Sequence, residues 1–190
     1  MSESPTHAGE RRALLMQLRR VFEQNGYAGA TFSLMAAATG LGRATLYHYF
    51  PGGKQEMAEA LLEDAAAELD TRAFSQLLGG ARPTDRLAAF LQGFGEYLHD
   101  GHGHCLLAVF AQGDARDLLG PAVARHMARW QMLLEATLSS TGLSPKRARR
   151  AAEEVLDGLY GGLVVGKMTG DERHFERALK RTARRLEKLD

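Results

Sequence analysis

Apolar residues recur along this chain at helical spacing, and no segment alternates apolar and polar residues over the length of a strand. Leu14, Leu18 and Phe22 share one face of a first predicted helix, which runs from about residue 10 to 25 and ends at Asn25-Gly26. Its outer face is predicted to carry Arg11, Arg12, Arg19 and Arg20. The pattern predicts an all-α fold.

The same spacing predicts about nine helices in all. Two short helices, 32–39 and 43–49, are separated by Gly40-Leu41-Gly42, which predicts a tight angled junction. A longer helix is predicted from near Lys54, extending as far as Leu78. Later helices are predicted to begin near Pro83, Cys105, Pro121, Pro145 and Asp171.

The two short helices have the features of a helix-turn-helix. Thr31 is suited to cap the first of them, and Gly40 tolerates the left-handed backbone that the turn requires. Leu46 and Phe50 are predicted to face inward under the second helix. The residues left outward on it are Arg43, Ala44, Thr45, Tyr47 and His48.

This outward set fits the major groove of DNA. Arg43 is able to bond O6 and N7 of guanine together, and Ala44 or the Thr45 methyl is able to contact a thymine methyl. Tyr47, His48 and Lys54 suit phosphate oxygens, Lys54 at the start of its helix.

Each of these residues also has a simpler interpretation. Tyr47, Tyr49 and Phe50 are ordinary core aromatics of a helical protein, and Arg43 alone is an ordinary surface charge. Their occurrence together, directly after the glycine turn, favours DNA binding.

At these residues the sequence resembles the TetR family of bacterial transcriptional repressors. The resemblance rests on Gly26-Tyr27, Ala36-Ala-Ala-Thr-Gly-Leu41 and Thr45-Leu-Tyr-His-Tyr-Phe50, within about residues 11 to 64. The segment Phe50-Pro-Gly-Gly-Lys54 is one residue longer than the Phe-x-Ser-Lys of many members and resembles the LmrA/YxaF-like branch. The resemblance implies DNA contacts at Thr31, Ser33, Arg43, Ala44, Thr45, Tyr47, His48 and Lys54.

The resemblance also implies the organisation and role of the whole chain. We expect a flexible arm over 1–9, a DNA-binding domain over 10–53 and a ligand-binding and dimerisation domain over 54–190. The expected function is that of a homodimeric repressor on a palindromic DNA operator, released by a small, mostly apolar effector. No cofactor, metal or membrane partner is expected.

Composition and charge agree with that role. The longest apolar stretches fall short of the ~20 residues that span a bilayer, and the single Cys105 suits a reducing compartment, so we expect a cytoplasmic protein. The net charge of +1 conceals an uneven distribution of +3 over residues 1–55, −6 over 56–140 and +4 over 141–190. Only the two basic ends are therefore candidates for a DNA surface.

Aromatic and methionine residues are concentrated in the central helices. The common meaning of such a stripe is plain core, but the family resemblance implies an effector cavity there. The pocket candidates are Phe74, Phe90, Phe94, Tyr97, Phe110, Met127 and Trp130, with polar contacts from Tyr97, Trp130 and Glu96; Met132 is also predicted to face inward.

Three glycines lie four residues apart in the next-to-last helix. Each costs roughly 1 kcal/mol relative to alanine, so close approach by a partner helix is the simplest explanation, with a kink or space for a ligand as alternatives. The predicted dimer interface comprises Gly158, Gly162, Gly166, Phe175, Leu179 and Leu186. The basic runs 146–150 and 181–185 are a possible second DNA surface, or more simply solvated helix faces.

Two other classes of function compete. An enzyme would have to use the cluster of His99, His102, His104 and Cys105, which lacks both a zinc-protease motif and a nucleophile elbow, so an enzyme is not expected. A helical adaptor that binds only protein is the second rival, and salt-dependent DNA binding separates it from a DNA reader.

Overall fold

The computed structural model describes residues 5–99 and 105–189, within which every regular element is helical. Over these described residues the prediction of an all-α fold with about nine helices is confirmed. Their bounds are α1 Pro5–Gly29, α2 Phe32–Thr39, α3 Arg43–Tyr49, α4 Gly53–Arg72, α5 Pro83–His99, α6 Leu106–Phe110, α7 Arg116–Ser139, α8 Pro145–Thr169 and α9 Arg173–Leu186. Short 3-10 segments cover Phe74–Leu78, Gly113–Ala115 and Glu187–Leu189.

The two short helices occupy the predicted spans because their local signals are strong. Thr31 is extended, with φ −83° and ψ 156°, and its Oγ1 accepts a hydrogen bond of 3.3 Å from the backbone N–H of Leu34. Gly40 ends α2 in the left-handed conformation, with φ 69° and ψ 8°. The angled junction therefore follows from one cap and one glycine.

Four predicted boundaries were wrong. Helix α1 begins at Pro5 and not near residue 10. Gly26, with φ 67° and ψ −176°, interrupts α1, but helical structure resumes and continues to Gly29. The long helix α4 ends at Arg72, and a 3-10 segment covers the stretch to Leu78. Pro121 lies inside α7, which already begins at Arg116.

The outward position predicted for Arg19 was also wrong. Its side chain is only 3% exposed and pairs with Glu23 one turn later, at 2.9 Å between Nε and Oε1. A buried charge requires such a partner, and the i,i+4 spacing provides one on the same helix. The local charge pattern alone did not distinguish this arginine from its exposed neighbours.

The chain divides into two compact units. The first comprises the described residues of Met1–Ala67 and His104–Ala124, so α6 belongs to the same unit as α1 to α3. Its core includes Leu18, Phe22 and Met35, and the ring of Phe22 meets that of Phe110 edge-on, with centroids 5.8 Å apart. This core packs against the buried side of the helix-turn-helix.

The second unit comprises the described residues of Glu68–Gly103 and Arg125–Asp190. Two of its contacts need glycine, since a Cβ on Gly93 would lie 1.9 Å from the backbone oxygen of Arg72, and one on Gly162 would lie 2.5 Å from the Cβ of Ala178. The 3-10 segment is fixed at its Leu77 oxygen, which accepts hydrogen bonds from Arg86 and Thr137. Within the described part of the chain, no helix is long and apolar enough to cross a membrane.

Candidate nucleic-acid interface

The outer face of α3 carries the side chains predicted to read DNA. Leu46 and Phe50 are fully buried beneath it, as predicted, and Met35 of α2 is buried with them. Because these apolar anchors fix the helix, Arg43, Ala44 and Thr45 are all directed to solvent from its first turn. A short helix presented in this way is free to enter a major groove.

Seven of the eight predicted DNA-contacting residues are exposed, and they lie at the start of α2 and along α3: Thr31, Ser33, Arg43, Ala44, Thr45, Tyr47 and His48. Thr31 already accepts from the backbone of Leu34 as a helix cap. Its hydroxyl hydrogen remains available to donate to a phosphate oxygen.

Lys54, the eighth residue, is half-buried at the start of α4. Its Nζ donates a hydrogen bond of 3.0 Å to the backbone oxygen of Ala28 and lies 4.7 Å from the ring centroid of Tyr27. Burial lowers the pKa of Lys54, and the nearby negative charge of Asp114 acts in the opposite direction. The ammonium group is therefore engaged within the protein.

Arg43 contacts two aromatic rings. The ring of Phe32, the first residue of α2, stacks on that of Tyr47 at 5.2 Å and 17°. The Cζ of Arg43 lies 4.6 Å from the Phe32 centroid and 5.6 Å from the Tyr47 centroid. Cation–π attraction therefore acts on this guanidinium.

Residues outside the predicted set hold α3 in place. Arg11 donates from Nε to the backbone oxygen of Tyr49 at 3.3 Å and from Nη2 to Oε1 of Glu56 at 2.9 Å, and it lies over the ring of Phe50. Glu56 in turn accepts from the backbone N–H of Gly52 at 2.8 Å. Arg11 of α1 thus connects the C-terminal end of α3 with the N-terminal end of α4.

Sequence reasoning missed this network because its partners are remote. Arg11 and Glu56 are 45 positions apart, and neither lies in a motif. The one local signal is the spacing of Gly52 and Glu56, which resembles a helix N-terminus whose acidic side chain reaches back to a free N–H.

Most of the predicted effector-pocket residues form a packed aromatic cluster in the second unit. The rings of Phe74 and Trp130 stack at 4.6 Å and 3°, and Phe74 also contacts Phe90 at 5.0 Å. Phe94 and Tyr97 are fully buried in the same unit, and Met127 is half-buried. Phe110 is placed elsewhere, against Phe22 of the first unit.

The polar groups predicted for that pocket have partners in the protein. Trp130 Nε1 donates to Oδ1 of Asp70 at 2.6 Å, and the exposed Glu96 accepts from Gln92 at 2.8 Å. Met132, predicted to face inward, is 63% exposed, because its position on α7 lies off the buried stripe formed by Trp130 and Leu134.

The residues predicted for the dimer interface pack within a single chain. Gly162 and Gly166 are buried where α8 meets the start of α9, and Gly158 faces Thr182. Phe175 and Leu186 are buried, and Leu179 packs towards Gly95. The close approach expected from the glycines is present, but the helix they admit is α9 of the same chain.

The histidine cluster considered for an enzyme lies mostly outside the described residues. His102 and His104 lie outside the described residues, and Cys105 is buried and forms no disulfide. Among the described residues, no group of three or more histidine, cysteine or acidic side chains is positioned to hold a metal ion.

An all-helical chain with an exposed recognition helix over a buried anchor has the architecture of helix-turn-helix transcriptional regulators. Residues 14–61 match the family profile described as bacterial regulatory proteins, tetR family. Over these residues the chain is similar to the regulators of the TetR family.

Regulators of similar sequence extend this likeness beyond residues 14–61. The HTH-type transcriptional regulator LmrA of Bacillus subtilis is 23% identical over 164 residues, which cover 84% of this chain and 87% of LmrA. The HTH-type transcriptional repressor AcnR of Corynebacterium glutamicum is 36% identical over 67 residues, or 35% of this chain and 34% of AcnR. The likeness to LmrA fits the Pro-Gly-Gly-Lys form of the segment before α4.

Solved structures show the same fold over nearly the whole chain. A TetR transcriptional regulator from Chloroflexus aurantiacus has a TM-score of 0.80 at 22% identity and covers 95% of each chain. A TetR regulator from Legionella pneumophila has a TM-score of 0.77 at 18% identity and covers 97% of this chain and 98% of its own.

Proposed function

We propose that this chain is a ligand-responsive transcriptional repressor that binds a palindromic operator as a homodimer and is released by a small, mostly apolar effector. The outer face of α3 carries the proposal, since Arg43, Ala44 and Thr45 are exposed there while Leu46 and Phe50 anchor the helix. Arg43 reads a guanine edge, and Ala44 or the methyl group of Thr45 contacts a thymine methyl.

The other exposed groups position the protein on the DNA backbone. Tyr47 and His48 contact phosphate oxygens from α3, and Thr31 and Ser33 do so from the start of α2. Lys54 acts indirectly, because its ammonium group holds the end of α1 through the Ala28 oxygen. Its loss therefore disturbs the position of α4 more than it removes a phosphate contact.

Dimerisation uses the outer face of α8 in this proposal. Gly161, Val165 and Met168 lie on one helical face, and Val165 and Met168 are 41% and 81% exposed. Exposed apolar residues at helical spacing are typical of helix pairing. A second copy of the same helix covers this face, which leaves Gly162 and Gly166 to their contacts with α9 in the same chain.

The effector binds among the aromatic side chains of the second unit, with Phe74, Phe90 and Trp130 as its main contacts. Because these rings now contact one another, the ligand has to separate them. Binding shifts the population towards a dimer in which α4 is tilted and the two copies of α3 no longer match the operator spacing.

Binding-site selection from random duplexes tests the DNA-reading role. The proposal expects two inverted half-sites whose centres lie about 34–36 Å apart, because two recognition helices then enter successive major grooves on one face. If no sequence is enriched and DNA binding falls steeply as salt rises, the protein binds DNA only non-specifically. Absence of salt-dependent binding would favour the adaptor.

Effector binding can be measured by tryptophan fluorescence, since Trp130 is the one tryptophan of the chain. A compound that binds at the cluster changes the emission of Trp130 and lowers operator affinity over the same concentration range. An emission change with operator affinity unaltered at saturation would contradict the coupling.

A further inference from the structure

We infer that Phe32 and Tyr47 form a platform that holds Arg43 in its base-reading orientation, so that Phe32 is a positioning residue for sequence discrimination. The inference rests on the proposed function, because it needs Arg43 to read a base. Phe32 lies neither on the outward face of α3 nor in the motifs that resemble the family, so this role is new for it.

The contact of Arg43 with the two rings is compatible with base reading. Its guanidinium carbon lies over the faces of both rings, 4.6 Å from the centroid of Phe32 and 5.6 Å from that of Tyr47. A guanidinium stacks through its plane, whereas its five N–H donors point outward within that plane. A guanidinium held against these rings has fewer orientations, and because Arg43 is exposed its donor pair can still reach guanine O6 and N7.

Phe32 has the position that such a platform needs. It is the first residue of α2 and is half-buried, whereas Met35 provides the fully buried contact of that helix. Its ring lies nearly parallel to that of Tyr47 from α3, at an angle of 17°. The stacked rings thus connect α2 and α3 at the protein surface and not in the core.

Gly53 lies against the Tyr47 ring of this platform. A Cβ on Gly53 would lie 3.0 Å from Cε1 and 3.3 Å from the hydroxyl oxygen of Tyr47, and its φ of +65° also favours glycine. The ring of Tyr47 therefore lies directly against the backbone at the start of α4. This gives a physical reason for a second glycine after Pro51: it leaves space for the ring that carries Arg43.

A double-mutant cycle between Phe32 and Arg43 tests the inference on the full-length protein. Discrimination is measured as the ratio of Kd values for the selected operator and for duplexes changed at one base pair, with salt fixed. Phe32→Leu removes the ring face, Phe32→Tyr keeps it as the matched control, and Phe32→Met is a second variant in case leucine impairs folding. Thermal unfolding of every variant is measured in parallel.

Phe32→Leu is expected to reduce discrimination about two- to fivefold, the effect of losing one exposed cation–π contact. The reduction falls only at the base pair whose preference disappears in Arg43→Ala. Phe32→Tyr keeps the discrimination, and Phe32→Leu adds nothing in the Arg43→Ala background.

Two results would overturn the inference in distinguishable ways. If Arg43→Ala abolishes the preference while Phe32→Leu and Phe32→Met keep it in full, or weaken binding equally on all duplexes, the platform has no reading role and the proposed function stands. If Arg43→Ala leaves every preference intact, the DNA-reading assignment of Arg43 fails and the platform fails with it.

Discussion

The indole Nε1 of Trp130 donates a hydrogen bond of 2.6 Å to Oδ1 of Asp70, which lies 60 positions away in the sequence. The other carboxylate oxygen of Asp70 accepts from Arg129. Trp130 is fully buried and stacks on Phe74, so this carboxylate satisfies the N–H of the largest core side chain in the second unit.

We therefore expect Asp70→Ala to lower the free energy of unfolding by roughly 1–3 kcal/mol, because it leaves the Trp130 N–H buried without an acceptor. Asp64→Ala is the matched control, since Asp64 is a half-buried carboxylate of the same helix without a hydrogen-bond partner among the described residues. Urea denaturation followed by Trp130 fluorescence measures both. Equal losses in the two variants would contradict the role of Asp70.

Replacing Lys54 by methionine keeps the side-chain stem and removes the ammonium group. Since that group donates to the Ala28 oxygen, we expect the slope of log K against log salt for operator binding to stay unchanged, while thermal stability falls. A reduction of the slope by about 0.9 in Lys54→Met, the value for one neutralised phosphate, would show a direct phosphate contact.

The hydroxyl of Tyr49 donates a hydrogen bond of 2.7 Å to Oε2 of Glu10, and this bond raises the pKa of Tyr49 above its ordinary value of 10.0. A raised pKa favours folding while the phenol is protonated, so the contribution is complete below about pH 10 and lost as the pH rises through the folded-state pKa. The stability difference between the wild type and Tyr49→Phe should therefore shrink above pH 10.

Denaturant titrations between pH 8 and about pH 11 measure this difference. A gap between the two proteins that widens with rising pH would contradict the assigned donor and acceptor, since an ionised Tyr49 no longer donates to Glu10.

The dimer proposal predicts that Met168→Glu shifts the protein towards monomers and weakens operator binding, because it places a charge on the apolar face of α8. Met132→Glu is the matched control, since Met132 is also exposed, at 63%, but lies on α7. Sedimentation velocity over a range of concentrations measures the shift. A stable dimer in Met168→Glu would place the interface elsewhere.

The sequence predicted best where the determining signals are local. The span of α2 follows from the Thr31 cap and the left-handed Gly40, and the buried positions of Leu46 and Phe50 follow from helical spacing. The outer face of α3 could be identified for the same reason. Helical spacing shows which residues are buried, and the others lie outward.

Contacts between remote residues could not be predicted in this way. Helical periodicity shows that Trp130 is buried but not that its N–H meets Asp70, and it places Arg11 on α1 but not beside Glu56. The glycines of α8 indicated a close helix approach, yet spacing alone does not specify that α9 of the same chain makes it. Such pairings depend on the three-dimensional arrangement of the helices.

Base discrimination by Arg43→Ala tests the central claim, that the outer face of α3 reads DNA, more directly than any other measurement. Competition binding compares the selected operator with duplexes changed at one base pair in each half-site, with salt fixed. Arg12→Ala is the matched control, because Arg12 is an exposed arginine of the same charge on α1.

We expect Arg43→Ala to lose about 1–3 kcal/mol of discrimination at one base pair of each half-site, and Arg12→Ala to keep the full preference. Full retention of every base preference in Arg43→Ala would contradict the account.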